Sequence, residues 1–249
     1  MVRNSLCVLA ALAGCAGDDD PTKAWVPNTG PAAHVAGHAF VFGPNSTALS
    51  LEGATVAVAE SPTVATTVAA DGTFAFDVPS GGPTSFSLTQ PGFHDNQSAT
   101  LTIGADGIAM LGFQAPTDDG FDMLANIVRV TPDPAKCQIS TTVSHAGTEP
   151  YGGDALGEDG ATVAIDPQPS GALGPIYFAY AGSPGSSVIY PDPNLTATSI
   201  DGGVIYANVP VGEYTLTATK AGVTFSKVTI WCRAGVLVNA APPNGLQGS

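Results

Sequence analysis

The sequence predicts an all-β protein: two tandem antiparallel β-sandwiches. Three observations predict this. The first is an internal repeat of parts in fixed order. "EGATVAV" at 52–58 returns as "DGATVAI" at 159–165. "DGTFAFDVPSG" at 71–81 returns as "DGGVIYANVPVG" at 201–212, and "TSFSLTQPGF" at 84–93 as "EYTLTATKAGV" at 213–223. The second is that these parts alternate with a period of two, as half-buried strands do. The third is composition: 44% apolar, only 11% charged, and a polar remainder rich in Thr, Ser, Gly, Asn and Pro. That is the composition of an extracytoplasmic β protein.

The chain begins with a targeting segment, residues 1–14. Arg3 supplies a positive charge and an apolar run extends from Leu6 to Ala13. The run is far short of the ~20 residues of a spanning helix, so it reads as a signal peptide. Residues 15–32 follow, rich in Gly, Pro and Asp without an apolar period, and read as a flexible tether.

Residues 33–115 form the first sandwich. Thr55-Val56-Ala57-Val58-Ala59 alternates as a strand should. In "DGTFAFDV", Phe74, Phe76 and Val78 share one face, with Thr73, Ala75 and Asp77 on the other. Gly72 follows Asp71 where a hairpin needs positive φ. Pro79 ends the strand for want of an N–H, and Gly81 turns the chain. Residues 116–135 form a linker, in which Phe121, Leu124, Ile127 and Val128 have helical spacing. Asp118 or Asp119 is the expected cap and Pro132 the stop.

Residues 136–242 form the second sandwich. Val204 and Tyr206 take the places of Phe74 and Phe76, and one extra residue around Ala207-Asn208 predicts a β-bulge. This copy carries an insertion at 166–195. Its apolar runs, Ile176 to Tyr180 and Ser187 to Tyr190, predict an added hairpin. Residues 243–249 are expected to be a disordered tail.

Two resemblances sharpen these readings. Leu12-Ala13-Gly14-Cys15 resembles the lipobox of bacterial lipoproteins. That implies diacylation of Cys15 and cleavage before it, with more than one acyl chain giving stable anchoring. Ala16, rather than Asp, after the Cys implies sorting to the outer membrane. The repeat resembles the carboxypeptidase regulatory-like domain, a small prealbumin-like (transthyretin-like) sandwich. The first copy matches its pattern at Gly53 to Val56, Asp71 to Phe76, Val78 to Gly81, Phe86 and Gly92-Phe93. The second matches at Gly160 to Val163, Asp201-Gly202, Val209 to Gly212, Tyr214 and Gly222-Val223, and departs by its insertion. Such modules serve many unrelated proteins, so the resemblance implies fold rather than activity.

There are four cysteines. Cys7 lies in the signal and Cys15 is the lipidation candidate. Cys137 and Cys232 remain, in an oxidising compartment, and are expected to pair as a disulfide joining the first and last strands of the second sandwich. The rival, a metal site, lacks a third ligand nearby.

The candidate ligand surface is the inserted hairpin, where Tyr177, Phe178, Tyr180 and Tyr190 could stack on a glycan or a partner. The competing expectation is that they pack on their own sandwich. His34, His38, His94 and His145 are scattered, and His34-x3-His38 precedes a strand. No Gly-x-Ser-x-Gly elbow, His-Glu-x-x-His or phosphate loop occurs. Two acidic runs, Asp118-Asp119-Asp122 and Asp154-Glu158-Asp159, offer carboxylates to calcium, but neither matches an EF-hand, the second is at best an imperfect single calcium repeat, and solvated turns are the expected reading. The Asn45, Asn96 and Asn194 sequons have no bearing in a bacterium. A formal charge of −14 argues against a phosphate-binding face for nucleic acid. The expectation is a non-catalytic lipoprotein of the bacterial envelope, structural, adhesive or partner-binding, without cofactor or metal. Its partners are the membrane, through lipid, and a protein or glycan. The alternative is a carbohydrate-binding lipoprotein using the aromatic hairpin.

Overall fold

The structure, a computed structural model, describes residues 25–42, 49–148, 157–181 and 188–249. The signal, Cys15, Asn45, Asp154 and the tip of the inserted hairpin lie outside the described residues. No described helix is long and apolar enough to cross a membrane.

The described residues of the first half form nine strands: β1 (Ala32–Val41), β2 (Thr55–Val58), β3 (Ser61–Thr67), β4 (Thr73–Pro79), β5 (Pro83–Thr84), β6 (Phe86–Thr89), β7 (Asn96–Gln97), β8 (Leu101–Thr102) and β9 (Ile108–Ala115). Helix α1 spans Asp118–Ile127. The second half contains β10 (Cys137–His145), β11 (Thr162–Asp166), β12 (Leu173–Ala181), β13 (Val188–Asp192), β14 (Gly203–Val209), β15 (Gly212–Thr219), β16 (Val228–Cys232), β17 (Leu237–Ala240) and β18 (Leu246–Gly248). Apart from α1, the described residues form an all-β fold.

The repeat in the sequence is a repeat in topology. β1 pairs antiparallel with β4 and parallel with β9. β10 likewise pairs antiparallel with β14 and parallel with β17. The opposing layers also correspond: β2–β6–β7 in the first half and β11–β15–β16 in the second. Each pair of layers encloses its own core. Val35, Phe74, Phe86, Leu111 and Phe113 fill the first, and Ile139, Val204, Tyr206, Leu216 and Ile230 the second. The alternation of Phe74 and Val78 inward against exposed Ala75 and Asp77 is the period-two pattern made real.

The two sandwiches are not independent beads. β17 pairs in parallel with β7, Leu237 opposite Asn96 and Val238 opposite Gln97. A ten-stranded sheet therefore runs through both halves, in the order β13-β12-β14-β10-β17-β7-β6-β2-β3, with β18 alongside β10. Further hydrogen bonds cross the seam. Gln97 Nε2 donates to Trp231 O (2.7 Å), Thr100 N to Thr229 O (2.9 Å) and Asn239 Nδ2 to Gln114 O (2.8 Å).

Three segments differ from expectation. Residues 243–249 are no disordered tail: β18 pairs with β10, and Leu246 is fully buried in the second core. The tether ends before residue 32, because Asn28 Nδ2 donates to Gly82 O (3.0 Å) and Thr84 Oγ1 (2.7 Å). Gly30 N also donates to Ser80 O (3.0 Å), extending β1's pairing backward. Helix α1 forms where its apolar spacing predicts, but Thr117 caps it, accepting from Gly120 N at 3.0 Å. Asp118 and Asp119 occupy the first turn, where negative charge meets the positive end of the helix dipole.

The predicted bulge is present at Ala207-Asn208, which together oppose Gln138 between the Cys137–Val209 and Ile139–Tyr206 pairs. Asn208 has φ +56°, a conformation Asn tolerates better than most residues. Its Oδ1 accepts from Asp133 N (2.9 Å) and its Nδ2 donates to Thr131 O (3.0 Å), so the bulge also holds the linker.

Candidate functional site

The four hairpin aromatics do not share one platform. Neighbouring residues of a strand face opposite ways, so Tyr177 points away from Phe178 and Tyr180. Cross-strand partners share a face, and Tyr190 lies opposite Ala179. It therefore belongs to the Tyr177 side. Tyr177 is buried in the second core, where its hydroxyl accepts the Val163 N–H at 3.0 Å. Phe178 is buried on the other side, beneath α1. Tyr180 is half-buried and Tyr190 is exposed. The four rings thus divide, two packed on opposite faces of the sheet and the remaining two also on opposite faces.

Above Phe178 lies a cavity of about 60 Å³. Phe121, Leu124 and Val128 of α1 and its C-terminal end roof it; Phe178, Ile205 and Leu237 form its floor. The helix thus covers the outward face of β10, β12, β14 and β17, the surface where an inserted aromatic would otherwise meet solvent. His94 stacks on Phe121 with ring centres 3.5 Å apart, and burial pushes its imidazole pKa down against the pull of Asp95, Asp118 and Asp122. The lining is apolar and suits packing or a small apolar group.

The acidic runs separate. Glu158 is buried and its carboxylate is held by Lys220 and His145. The hydrogen bond from Lys220, aided by the charge of His145, keeps its pKa below the usual glutamate value. Its oxygens are therefore committed to side chains of the protein, and Asp159 beside it is exposed. Among the described residues no three His, Cys, Asp or Glu side chains are grouped to hold a metal ion. His34 pairs with Asp77 at the surface (3.1 Å), and His38 leans on Phe40.

Both Asp-Gly turns are structural. Asp71 Oδ1 accepts from Thr73 N (2.9 Å) and Thr73 Oγ1 (2.7 Å), with Gly72 at φ +84°. Asp201 Oδ1 accepts from Gly203 N (3.0 Å), with Gly202 at φ +75°. Burial raises the Asp201 carboxyl pKa. Cys137 and Cys232 form a disulfide, Cα atoms 5.7 Å apart, joining the two layers of the second sandwich.

No family model matches the chain and no curated protein matches its sequence. Solved structures give distant likenesses. The Bacillus anthracis TIE protein is 13% identical with a TM-score of 0.28, over 84% of this chain and 33% of its own length. Shaft pilin SpaA from Lactobacillus rhamnosus GG is 12% identical with a TM-score of 0.25, over 88% and 97%. A streptococcal ancillary pilin is 12% identical with a TM-score of 0.23, over 85% and 63%. The chain thus spans a third of the first of these and nearly all of the second.

Proposed function

We propose that the chain is a non-catalytic module of the bacterial cell envelope, anchored by lipid on Cys15 at the outer membrane. Its work is structural or adhesive, holding a two-lobed β body off the membrane surface for a partner. The observation that supports this most is the single ten-stranded sheet crossing both halves. A spacer must resist bending, and a hydrogen-bonded sheet through the junction removes the hinge that a bare linker would leave. A lipobox-like segment ahead of the body supplies the anchor. Metabolic labelling with palmitate tests it: incorporation is expected in the parent and lost in Cys15→Ala. Equal labelling of both overturns the anchor.

The glycan-binding alternative retains Tyr180 and Tyr190, the two rings that still meet solvent, on opposite faces of the hairpin. It is the weaker reading. Glycan-array binding that vanishes on Tyr190→Ala would favour it.

A further inference from the structure

The chain has two tryptophans, 206 residues apart, and they are stacked. Trp25 is the first described residue after the tether. Its ring lies 5.1 Å from that of Trp231, with 12° between the planes. The Arg233 guanidinium sits over the Trp25 ring, 4.5 Å from its centre. Arg233 is itself held by Glu60, whose side chain is 2% exposed, and by Gln97 Oε1 at 2.7 Å. Glu60 and Gln97 belong to the first sandwich, and Trp231 and Arg233 to the second. Trp25 therefore closes onto the place where the halves meet.

We propose that Trp25 is a latch that docks the N-terminal segment on the seam between the sandwiches and so sets the stand-off and orientation of the body. Stacked rings and a guanidinium over an indole face each favour this closed arrangement. Asn28 and Gly30 continue the hold toward β1. Docking at Trp25 leaves ten residue steps between Cys15 and the held segment, which at ~3.3–3.6 Å each span at most about 36 Å. The seam end of the body therefore stays on the anchor's side. Neither indole N–H has a hydrogen-bond partner among the described residues. The latch works through ring faces, so phenylalanine replaces either tryptophan while alanine does not.

The stand-off part rests on the lipid-anchor reading above; the docking does not. Both tryptophans lie in the latch, so intrinsic emission of the full chain reports on it directly. In Trp231→Phe the sole tryptophan is Trp25. Its acrylamide quenching is expected to be severalfold weaker than that of the same variant in urea. Adding Arg233→Ala should raise it. In Trp25→Phe, Trp231 should stay blue-shifted, and in Trp25→Ala its emission should move to the red. If Trp25 in folded Trp231→Phe is quenched as strongly as in urea, the latch is overturned. Far-UV circular dichroism establishes that each variant is folded. Failure of Cys15 labelling with Trp25 still shielded removes the anchor and leaves the docking; the converse removes the docking alone.

Discussion

Tyr177 and Tyr206, on neighbouring strands, hold the backbone of the same residue, one at its N–H and the other at its C=O. The Tyr177 hydroxyl accepts the Val163 N–H at 3.0 Å, and the Tyr206 hydroxyl donates to Val163 O at 3.1 Å. Both rings cross the core from the β10–β14 sheet to β11. Burial, with Tyr177 alongside, pushes the Tyr206 pKa well above the ordinary tyrosine value. Removing either hydroxyl strands a buried backbone group, which costs about 1–3 kcal/mol. Tyr177→Phe and Tyr206→Phe should each lower the urea midpoint accordingly. Because they share Val163, the double variant should depart from the sum of the singles.

The disulfide joins layers across 95 residues of sequence. In the chain-entropy model a loop of that length contributes about 4–5 kcal/mol. Paired Cys137→Ser and Cys232→Ser replacements, or reduction under denaturant, should lower the unfolding free energy by an amount of that order. An unfolding curve unchanged by reductant would show that the bond constrains nothing.

Glu158 makes stability depend on pH. Its folded-state pKa is depressed, chiefly by the Lys220 hydrogen bond and then by the charge of His145. A depressed carboxyl stabilises the fold above its unfolded value and loses that contribution as pH falls through the folded one. Urea midpoints should therefore decline as pH drops below the ordinary glutamate range. Glu158→Gln should be less stable at neutral pH and show a shallower decline in that window. Parallel pH profiles for parent and variant would assign the acid sensitivity elsewhere.

The strands were legible because their code is local. Alternation at Phe74, Phe76 and Val78, with Gly72 before and Pro79 after, needs no knowledge of the rest of the chain. The bulge at Asn208 and the pairing of Cys137 with Cys232 followed from counting. What escaped was non-local. β7 is two polar residues, Asn96-Gln97, with no apolar signal, yet it carries the fused sheet. Leu246 is a lone apolar residue in a Gly- and Pro-bearing tail, and only β10 beside it makes it a strand. The aromatic hairpin left two destinations open for the same reason. Its composition suggests a platform, but the core that claims Tyr177 and the helix that covers Phe178 lie elsewhere in sequence.

Phe178 gives a test of that cover. It is buried on the floor of the cavity under α1. Phe178→Ala enlarges the cavity and should cost about 3–5 kcal/mol. Tyr190→Ala, at an exposed position, should stay within about 0.5 kcal/mol of the parent. Thermal melts distinguish the two. Equal, small effects would mean that α1 does not pack on Phe178.

The Glu60–Arg233 ion pair decides whether the halves unfold together. It spans the seam with Glu60 almost wholly buried, and Ser85 N donates to both carboxylate oxygens. Removing one partner of a buried pair leaves an uncompensated charge, at a cost of about 3–5 kcal/mol. Arg233→Met should therefore destabilise more than Arg233→Met with Glu60→Gln, in which no charge is left behind. Calorimetry reads the coupling directly. The parent should show one cooperative transition, because a shared sheet makes separate melting costly. Arg233→Met should split it into two, the disulfide-bearing second sandwich melting last. Two transitions already present in the parent would mean that the β7–β17 pairing joins the halves without coupling them.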